Sequence, residues 1–284
     1  VLVEEPENKD IIMTKEEQIV KYYYAHISAG VIEKHIDEIT GEMLYSQAHE
    51  GNEGDQYDIP SKEFEGYDFV KVEGNPEGTI EVEIDEEGNI VNNKTIVTYY
   101  YAQKAQVEEH HIDILTGEDI EEPTMHNGHV GDEYDIKAKE FLSYVVATTD
   151  KDGNNVLPEN AAGTMTEEKI VVNYYYNQPA KVIVHYVEKA TGKEIEEINP
   201  ETGELQNSQV VIEGFNQDEY ETTAKEFEYY TLIEKPQEEQ GTMTVEITKD
   251  EEGNDVVNNA IELYYYYEAK PFNIGVEKEI TGII

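Results

Sequence analysis

Four blocks of this chain end in a run of tyrosines, and the spacing of those runs constrains the fold more than any other feature. The runs are Tyr22-Tyr23-Tyr24, Tyr99-Tyr100-Tyr101, Tyr174-Tyr175-Tyr176 and Tyr264 through Tyr267, and their last tyrosines lie 77, 75 and 91 residues apart. Other landmarks keep the same order within each interval. Thr-Gly recurs at Thr40-Gly41, Thr116-Gly117 and Thr191-Gly192. Gly54-Asp55-Gln56-Tyr57-Asp58 returns as Gly131-Asp132-Glu133-Tyr134-Asp135 and, more loosely, as Gln217-Asp218-Glu219-Tyr220-Glu221. Lys-Glu-Phe begins at Lys62, Lys139 and Lys225, and Gly-Thr at Gly78, Gly163 and Gly241. A fixed order of landmarks at a near-constant period marks tandem structural units rather than one large domain.

The period sets the boundaries. Residues 25–102, 103–178 and 179–269 read as complete units, residues 1–24 as the C-terminal part of a preceding one, and residues 270–284 as the start of a different module. Met13 through Tyr24 match Met165 through Tyr176 at identical spacing, so the sequence is expected to be cut from a longer repeat protein. From the Thr-Gly glycine to the Lys-Glu-Phe phenylalanine there are 23, 24 and 35 residues in successive units. The extra length falls near 198–209 and reads as a turn-rich loop.

Each unit is written mainly in strands. Val182-Ile183-Val184-His185-Tyr186-Val187 is a β-branched and aromatic opening strand, and the glycine of the Thr-Gly turn after it adopts positive φ at no steric cost. The segment after Gly-Asp-x-Tyr leads through Ala-Lys-Glu-Phe, read as a single helical turn, to an aromatic strand such as Tyr144 through Thr148. Gly-Thr then opens a last hairpin onto the tyrosine strand, with tips expected at Glu87-Gly88-Asn89 and Glu252-Gly253-Asn254, and a short form at Glu167-Glu168. Successive strand residues face opposite ways, so part of every tyrosine run must pack inward. The linkers Gln103-Lys104 and Gln178-Pro179 are so short that an extended rod is expected.

Composition narrows the functional classes. The chain carries 64 acidic side chains against 20 basic ones, all lysine, for a net charge of −44. Such a chain repels phosphodiester backbones and anionic headgroups and lacks the arginine fork, which argues against nucleic acid and membrane surfaces as partners. A mean hydropathy of −0.66 with this charge is also a mark of disorder. Against that, the 38% of hydrophobic residues are gathered into runs such as Ile96 through Tyr101, which places the charge as a coat on folded modules. The absence of cysteine excludes a disulfide scaffold, a thiolate zinc site and a cysteine nucleophile. No hydrolase or phosphate-loop motif occurs, and no enzyme is expected.

The histidines and acids supply the remaining candidates. His110 and His111 face opposite sides of a strand and cannot share an ion without distortion. His35 and His111 occupy the column of Tyr186, a semi-buried aromatic position, while His126 and His129 read as part of a loop with Asp132 and Asp135. No metal site is expected among them. The acids Asp55 with Asp58, Asp132 with Asp135, and Asp85-Glu86-Glu87 could hold structural calcium, although none follows the EF-hand pattern and a solvated surface fits them better. No other cofactor is expected. The tyrosine runs either close the sheets or offer faces to sugar rings, and no single residue stands out as a glycan ligand.

Taken together, Val182-x-Val184-x-Tyr186-Val187, Thr191-Gly192-Lys193-Glu194-Ile195, Gly131-Asp132-Glu133-Tyr134, Ala-Lys-Glu-Phe, Gly-Thr-Met and the closing tyrosines resemble the MucBP (mucin-binding protein) repeat of Gram-positive surface adhesins. The resemblance implies mostly β (α+β) modules of the ubiquitin-like β-grasp type. It also implies a secreted, non-enzymatic, cell-surface segment acting as stalk and as weak multivalent binder of host mucin or another glycoprotein. The alternative is a purely structural spacer or surface-filament subunit with no ligand. Phe272 through Lys278 is similar to the first strand of a Cna-B or SpaA-like module, which implies Lys278 as an isopeptide candidate. Repulsion of sialylated or sulfated chains reaches about 8 Å at physiological salt, so neutral or calcium-bridged sugars are the expected ligands.

Overall fold

The alternation of the first opening strand explains the sheet it joins. A computed structural model describes residues 2–7, 9, 10 and 12–271, so Lys278 and nearly all of the module expected from residue 270 lie outside the described residues. Strand Ser28–Asp37 buries Val31, Glu33, His35 and Asp37 on one face and leaves Ile32, Lys34 and Ile36 half-exposed on the other. Met43–Asn52 returns antiparallel to it through the Thr40-Gly41 turn. On its other side the long strand Lys94–Asp113 runs parallel, with Lys94 opposite Gly30 and Tyr101 opposite Asp37. Tyr67–Glu73 completes the order, antiparallel to that strand.

The chain divides into two units. One takes in residues up to Glu109 with Thr124–Ile136 and Glu159–Val172, and the other takes in His110–Pro123, Lys137–Pro158 and the residues from Asn173 onward. The second unit repeats the same order: Val210–Phe215, Pro179–Glu188, Ala260–Ala269 and Tyr230–Glu234, again with the two middle strands parallel. The core of the first unit is Ala29, Val31, Ile59, Ile80, Val97, Tyr99 and Tyr101, closed by half-buried residues including Phe64 and Tyr67. That of the second is built from Val182, Val184, Tyr186, Met243, Leu263, Tyr265 and Tyr267. As the alternation requires, the tyrosines split by parity: Tyr99, Tyr101, Tyr174, Tyr176, Tyr265 and Tyr267 are buried, and Tyr100, Tyr175, Tyr264 and Tyr266 face outward.

The architecture is all-β, and among the described residues no helix forms. The expected helical turn at Lys-Glu-Phe is absent because its backbone is engaged elsewhere. Tyr101 donates its hydroxyl to the Lys62 carbonyl at 2.8 Å and accepts the Lys62 N–H at 3.2 Å. Tyr176 holds Lys139 in the same way, at 3.1 and 3.0 Å. Tyr267 holds Lys225 at 2.7 and 3.0 Å. Two landmarks far apart in sequence are thus one clamp.

A second pair of landmarks also meets. Gly-Thr was expected to open the last hairpin, but Glu77–Thr79 pairs with Gln56–Asp58, Ala162–Thr164 with Glu133–Asp135, and Gln240–Thr242 with Glu219–Glu221. The bare glycine admits the tyrosine of Gly-Asp-x-Tyr, since a Cβ on Gly241 would stand 2.9 Å from the Tyr220 hydroxyl. The hairpins form separately, Glu83–Ile84 with Ile90–Asn92 and Glu246–Lys249 with Asp255–Asn258, and turn at the expected Gly88 and Gly253. The 198–209 insertion is a hairpin rather than a loop, Glu196–Ile198 with Leu205–Asn207. Its turn copies the Thr-Gly turn: the Asn199 side chain accepts the N–H groups of Glu201 and Thr202, as Asp37 accepts those of Ile39 and Thr40.

Candidate functional site

Inward-facing positions of a strand are expected to be apolar, yet the first repeat places Glu33, His35 and Asp37 there. The Glu33 side chain is 2% exposed and meets three donors: His35 Nε2 at 2.7 Å, His49 Nε2 at 2.8 Å and Lys62 Nζ at 3.1 Å. Burial pushes its carboxyl up, but the hydrogen bonds from His49, His35 and Lys62 outweigh burial and hold it below the ordinary glutamate range. His35 Nδ1 lies 2.9 Å from the Tyr101 hydroxyl, and its ring stacks on Tyr99 with centroids 5.0 Å apart. The second repeat keeps the residues: His111 Nδ1 lies 2.8 Å from the Tyr176 hydroxyl, and His126 Nε2 lies 2.6 Å from Glu109. His35 and His111 are therefore fully buried rather than semi-buried: a carboxylate and a tyrosine hydroxyl satisfy the His35 ring, and a tyrosine hydroxyl meets that of His111.

The cluster is an internal brace rather than a reaction centre. Its carboxylate oxygens are occupied by donors, and the tyrosine hydroxyl is held by the lysine backbone. Among the described residues no group of three or more His, Asp or Glu side chains is arranged to hold a metal ion. His126 and His129 lie on strand Thr124–His129, not in a loop, where they pair with Val107 and Lys104. His110 bonds Asp119 at 3.0 Å while His111 points into the core, as strand geometry requires.

The first acid of each pair is engaged in a turn, while Asp58 and Asp135 lie on strands. Asp55, Asp132 and Asp218 each accept the N–H three residues earlier, of Asn52, His129 and Phe215, at 2.7–2.8 Å. Asp85 binds both the backbone and the side chain of Asn89, and Asp150 and Asp250 do the same to Asn154 and Asn254. These hydrogen bonds hold all three hairpin-tip carboxyls below the ordinary aspartate range. The outward tyrosines are partly covered. Lys71 Nζ sits 4.8 Å from the ring of Tyr100, Lys189 Nζ 5.3 Å from that of Tyr266, and His185 stacks on Tyr264 at 4.5 Å.

Every recurring landmark therefore performs an architectural task, as expected of residues that define a family's fold. The family model for the MucBP domain matches three times, over residues 31–102, 106–177 and 181–268. The chain belongs to the MucBP domain family. Internalin J of Listeria monocytogenes serotype 4b (strain F2365) is 28% identical over 249 residues, which take in 84% of this chain and 24% of that protein. Internalin J of serovar 1/2a (strain ATCC BAA-679 / EGD-e) is 27% identical over 254 residues, covering 84% and 26%. The chain thus spans a minor part of the length of these curated relatives. Among solved structures, the type 2 repeat of the mucus binding protein MUB from Lactobacillus reuteri is matched at 12% identity and a TM-score of 0.18, over 53% of this chain and 99% of that one. BcpA, the major pilin subunit of Bacillus cereus, is matched at 8% identity and 0.25, over 86% and 99%. Neither superposition is close enough to carry an argument.

The MucBP repeats differ most where one meets the next. Lys104 follows the first tyrosine strand directly and pairs with Asp68 at 3.0 Å, and His129 Nε2 lies 3.1 Å from the same carboxylate. Hydrogen bonds from Lys104 and His129 hold Asp68 below the ordinary aspartate range. By register the same three positions at the next junction are Val145, Pro179 and Phe215. Glu33, Glu109 and His49 were not among the candidates expected from the sequence. The readable signal was Glu-x-His-x-Asp at residues 33–37 and 109–113, three acid or imidazole groups on one face of a strand.

Proposed function

We propose that this chain is a segment of a secreted bacterial cell-surface adhesin, in which tandem MucBP repeats form a non-enzymatic, extended stalk and bind mucin-type glycoprotein weakly and multivalently. The observation that carries the stalk is the strand Lys94–Asp113, which closes the first repeat and opens the second without an intervening loop. The short path through Gln178, from Ile170–Asn177 into Pro179–Glu188, repeats the arrangement and supports it again. Glycoprotein binding is supported by membership of the MucBP (mucin-binding protein) family. Several weak sites on one chain gain avidity without any single strong pocket. Retention of the purified segment on mucin, lost on deglycosylated mucin, is the expected result. Equal and negligible retention on both removes the binding half of this reading and leaves the stalk.

The rival is a pure spacer. It is favoured by the partial covering of Tyr100, Tyr264 and Tyr266 by Lys71, His185 and Lys189, which reduces the ring surface open to a sugar.

A further inference from the structure

Two side chains sit where the backbone favours glycine. Among the described residues Ser143 (φ 64°) and Gln217 (φ 70°) are the non-glycine positions with positive φ. Ser143 stands in the place of Gly66, and Gln217 in that of Gly54 and Gly131. A side chain in the left-handed region is disfavoured, so keeping one there calls for a compensating role. Both belong to the meeting of the second and third repeats. Gln178 Nε2 donates to Ser143 Oγ at 3.3 Å, Asn216 Nδ2 donates to Gln178 Oε1 at 2.8 Å, and Gln217 Nε2 donates to Asn216 Oδ1 at 3.4 Å.

The Asn216 and Gln217 end of this amide chain borders a groove of about 550 Å³, whose walls include Thr148, Thr149, Asp152, Asn177 and Phe215. The volume falls within the range of small-molecule sites. Phe215 is 40% exposed there. At the preceding junction its position is held by His129, whose ring is tied to Asp68, and the position of Gln217 is Gly131. Among the described residues the side chains of Thr148, Thr149 and Asn177 make no hydrogen bond, so their hydroxyl and amide groups face the groove or solvent with their capacity unused.

We propose that this groove is a binding site for a neutral oligosaccharide. The Phe215 ring suits the apolar C–H face of a sugar, and the Asn177 and Gln217 amides with the Thr148 and Thr149 hydroxyls suit its hydroxyl groups. Three carboxylates, Asp150, Asp152 and Asp218, line the groove against one lysine, Lys151, and this excess of negative charge disfavours sialylated or sulfated sugars. The proposal rests on the glycoprotein-binding reading above and gives it an address.

The test uses the whole chain with two probes, the neutral and the sialylated oligosaccharide fractions released from mucin, followed by amide chemical shifts. The neutral fraction is expected to move the signals of Thr148 through Asp152, Asn177 and Phe215, and the sialylated fraction to bind at least tenfold more weakly. Phe215→Ala is expected to weaken binding at least tenfold. Gln217→Gly separates binding from folding, because glycine fits the left-handed backbone: it should raise the unfolding temperature and still weaken binding about threefold or more. If the chain binds the neutral fraction and both variants bind equally well, the groove is wrong and the adhesin reading stands. Preference for the sialylated fraction overturns the ligand class. If neither fraction binds but intact mucin does, the groove falls alone; if nothing binds, the groove and the glycoprotein-binding half of the adhesin reading both fall.

Discussion

The first and third repeats share a sheet order and a tyrosine clamp, yet their inner faces are built from opposite chemistry. Where the first buries Glu33 and His35 against His49, the third has Val184, Tyr186 and Ile212 in register. Tyr186 keeps the place of His35, stacking on Tyr265 at 5.6 Å as His35 stacks on Tyr99, and its hydroxyl reaches the Thr223 carbonyl at 3.2 Å. The fold thus tolerates either an ionic brace or an apolar one at the same site. What it does not vary is the terminal tyrosine, whose hydroxyl holds the Lys-Glu-Phe backbone in every repeat.

The sharpest way to break the comparison is to remove one carboxylate. Glu33→Ala strands three donors and is expected to cost the first repeat about 3 kcal/mol, whereas Val184→Ala opens a small apolar void at about 2 kcal/mol or less. Hydrogen exchange of amides in Ser28–Asp37 and Pro179–Glu188 reads each repeat separately in the intact chain. Acid should widen the gap in the same direction. Because the folded carboxyl of Glu33 is held low, its stabilisation is complete above the ordinary glutamate value of about 4.3 and is lost as pH falls through the folded value. Protection of the Ser28–Asp37 amides, corrected for the pH dependence of intrinsic exchange, should therefore fall between pH 5 and pH 3 more than that of Pro179–Glu188, the tips at Asp85 and Asp250 being present in both repeats. Equal loss of protection in the two strands would remove Glu33 as the source.

The converse change sharpens it. Installing the third repeat's set in the first, as Glu33→Val with His35→Tyr and His49→Ile, is expected to be neutral or to stabilise by about 1–4 kcal/mol and to abolish the excess acid sensitivity. A smaller, shared effect is expected at the clamp: Tyr101→Phe and Tyr267→Phe should each cost about 1 kcal/mol by denaturant midpoint, alike in both repeats. Least of all, Asp68→Asn should lower the denaturant midpoint only slightly at low salt and less at high salt, since Asp68, Lys104 and His129 are all well exposed.

Much of the fold was legible because its signals are local. Parity along Tyr99-Tyr100-Tyr101 required part of the run to pack inward, and Gly88 and Gly253 marked the hairpin tips. The helical turn at Lys62 through Phe64 was misread because the hydroxyl that holds it comes from Tyr101, 39 residues away. The same distance effect hid the brace. His35 could be placed in the Tyr186 column, but its partner His49 becomes a neighbour of Glu33 only once the return strand's register is fixed. The insertion was the avoidable error, since Asn199-Pro200-Glu201-Thr202-Gly203 repeats the spacing of Asp37-Glu38-Ile39-Thr40-Gly41. The groove could not be found from spacing at all, because it depends on residues that break the repeat pattern.

The parallel neighbours Ser28–Asp37 and Lys94–Asp113 have a mechanical meaning. The chain enters the first repeat at the start of one and leaves it along the other, and the two run side by side through eight paired positions from Gly30–Lys94 to Asp37–Tyr101. Tension on the two ends therefore pulls the strands past each other along their axes. Hydrogen bonds loaded in this shearing sense must yield together, whereas a hairpin pulled at its open end unzips one bond at a time. The third repeat carries the same eight-position pairing, from Lys181–Ala260 to Glu188–Tyr267. Its rate of rupture under load is then set by that lattice rather than by equilibrium stability, which lets the two inner faces differ in chemistry while bearing force alike.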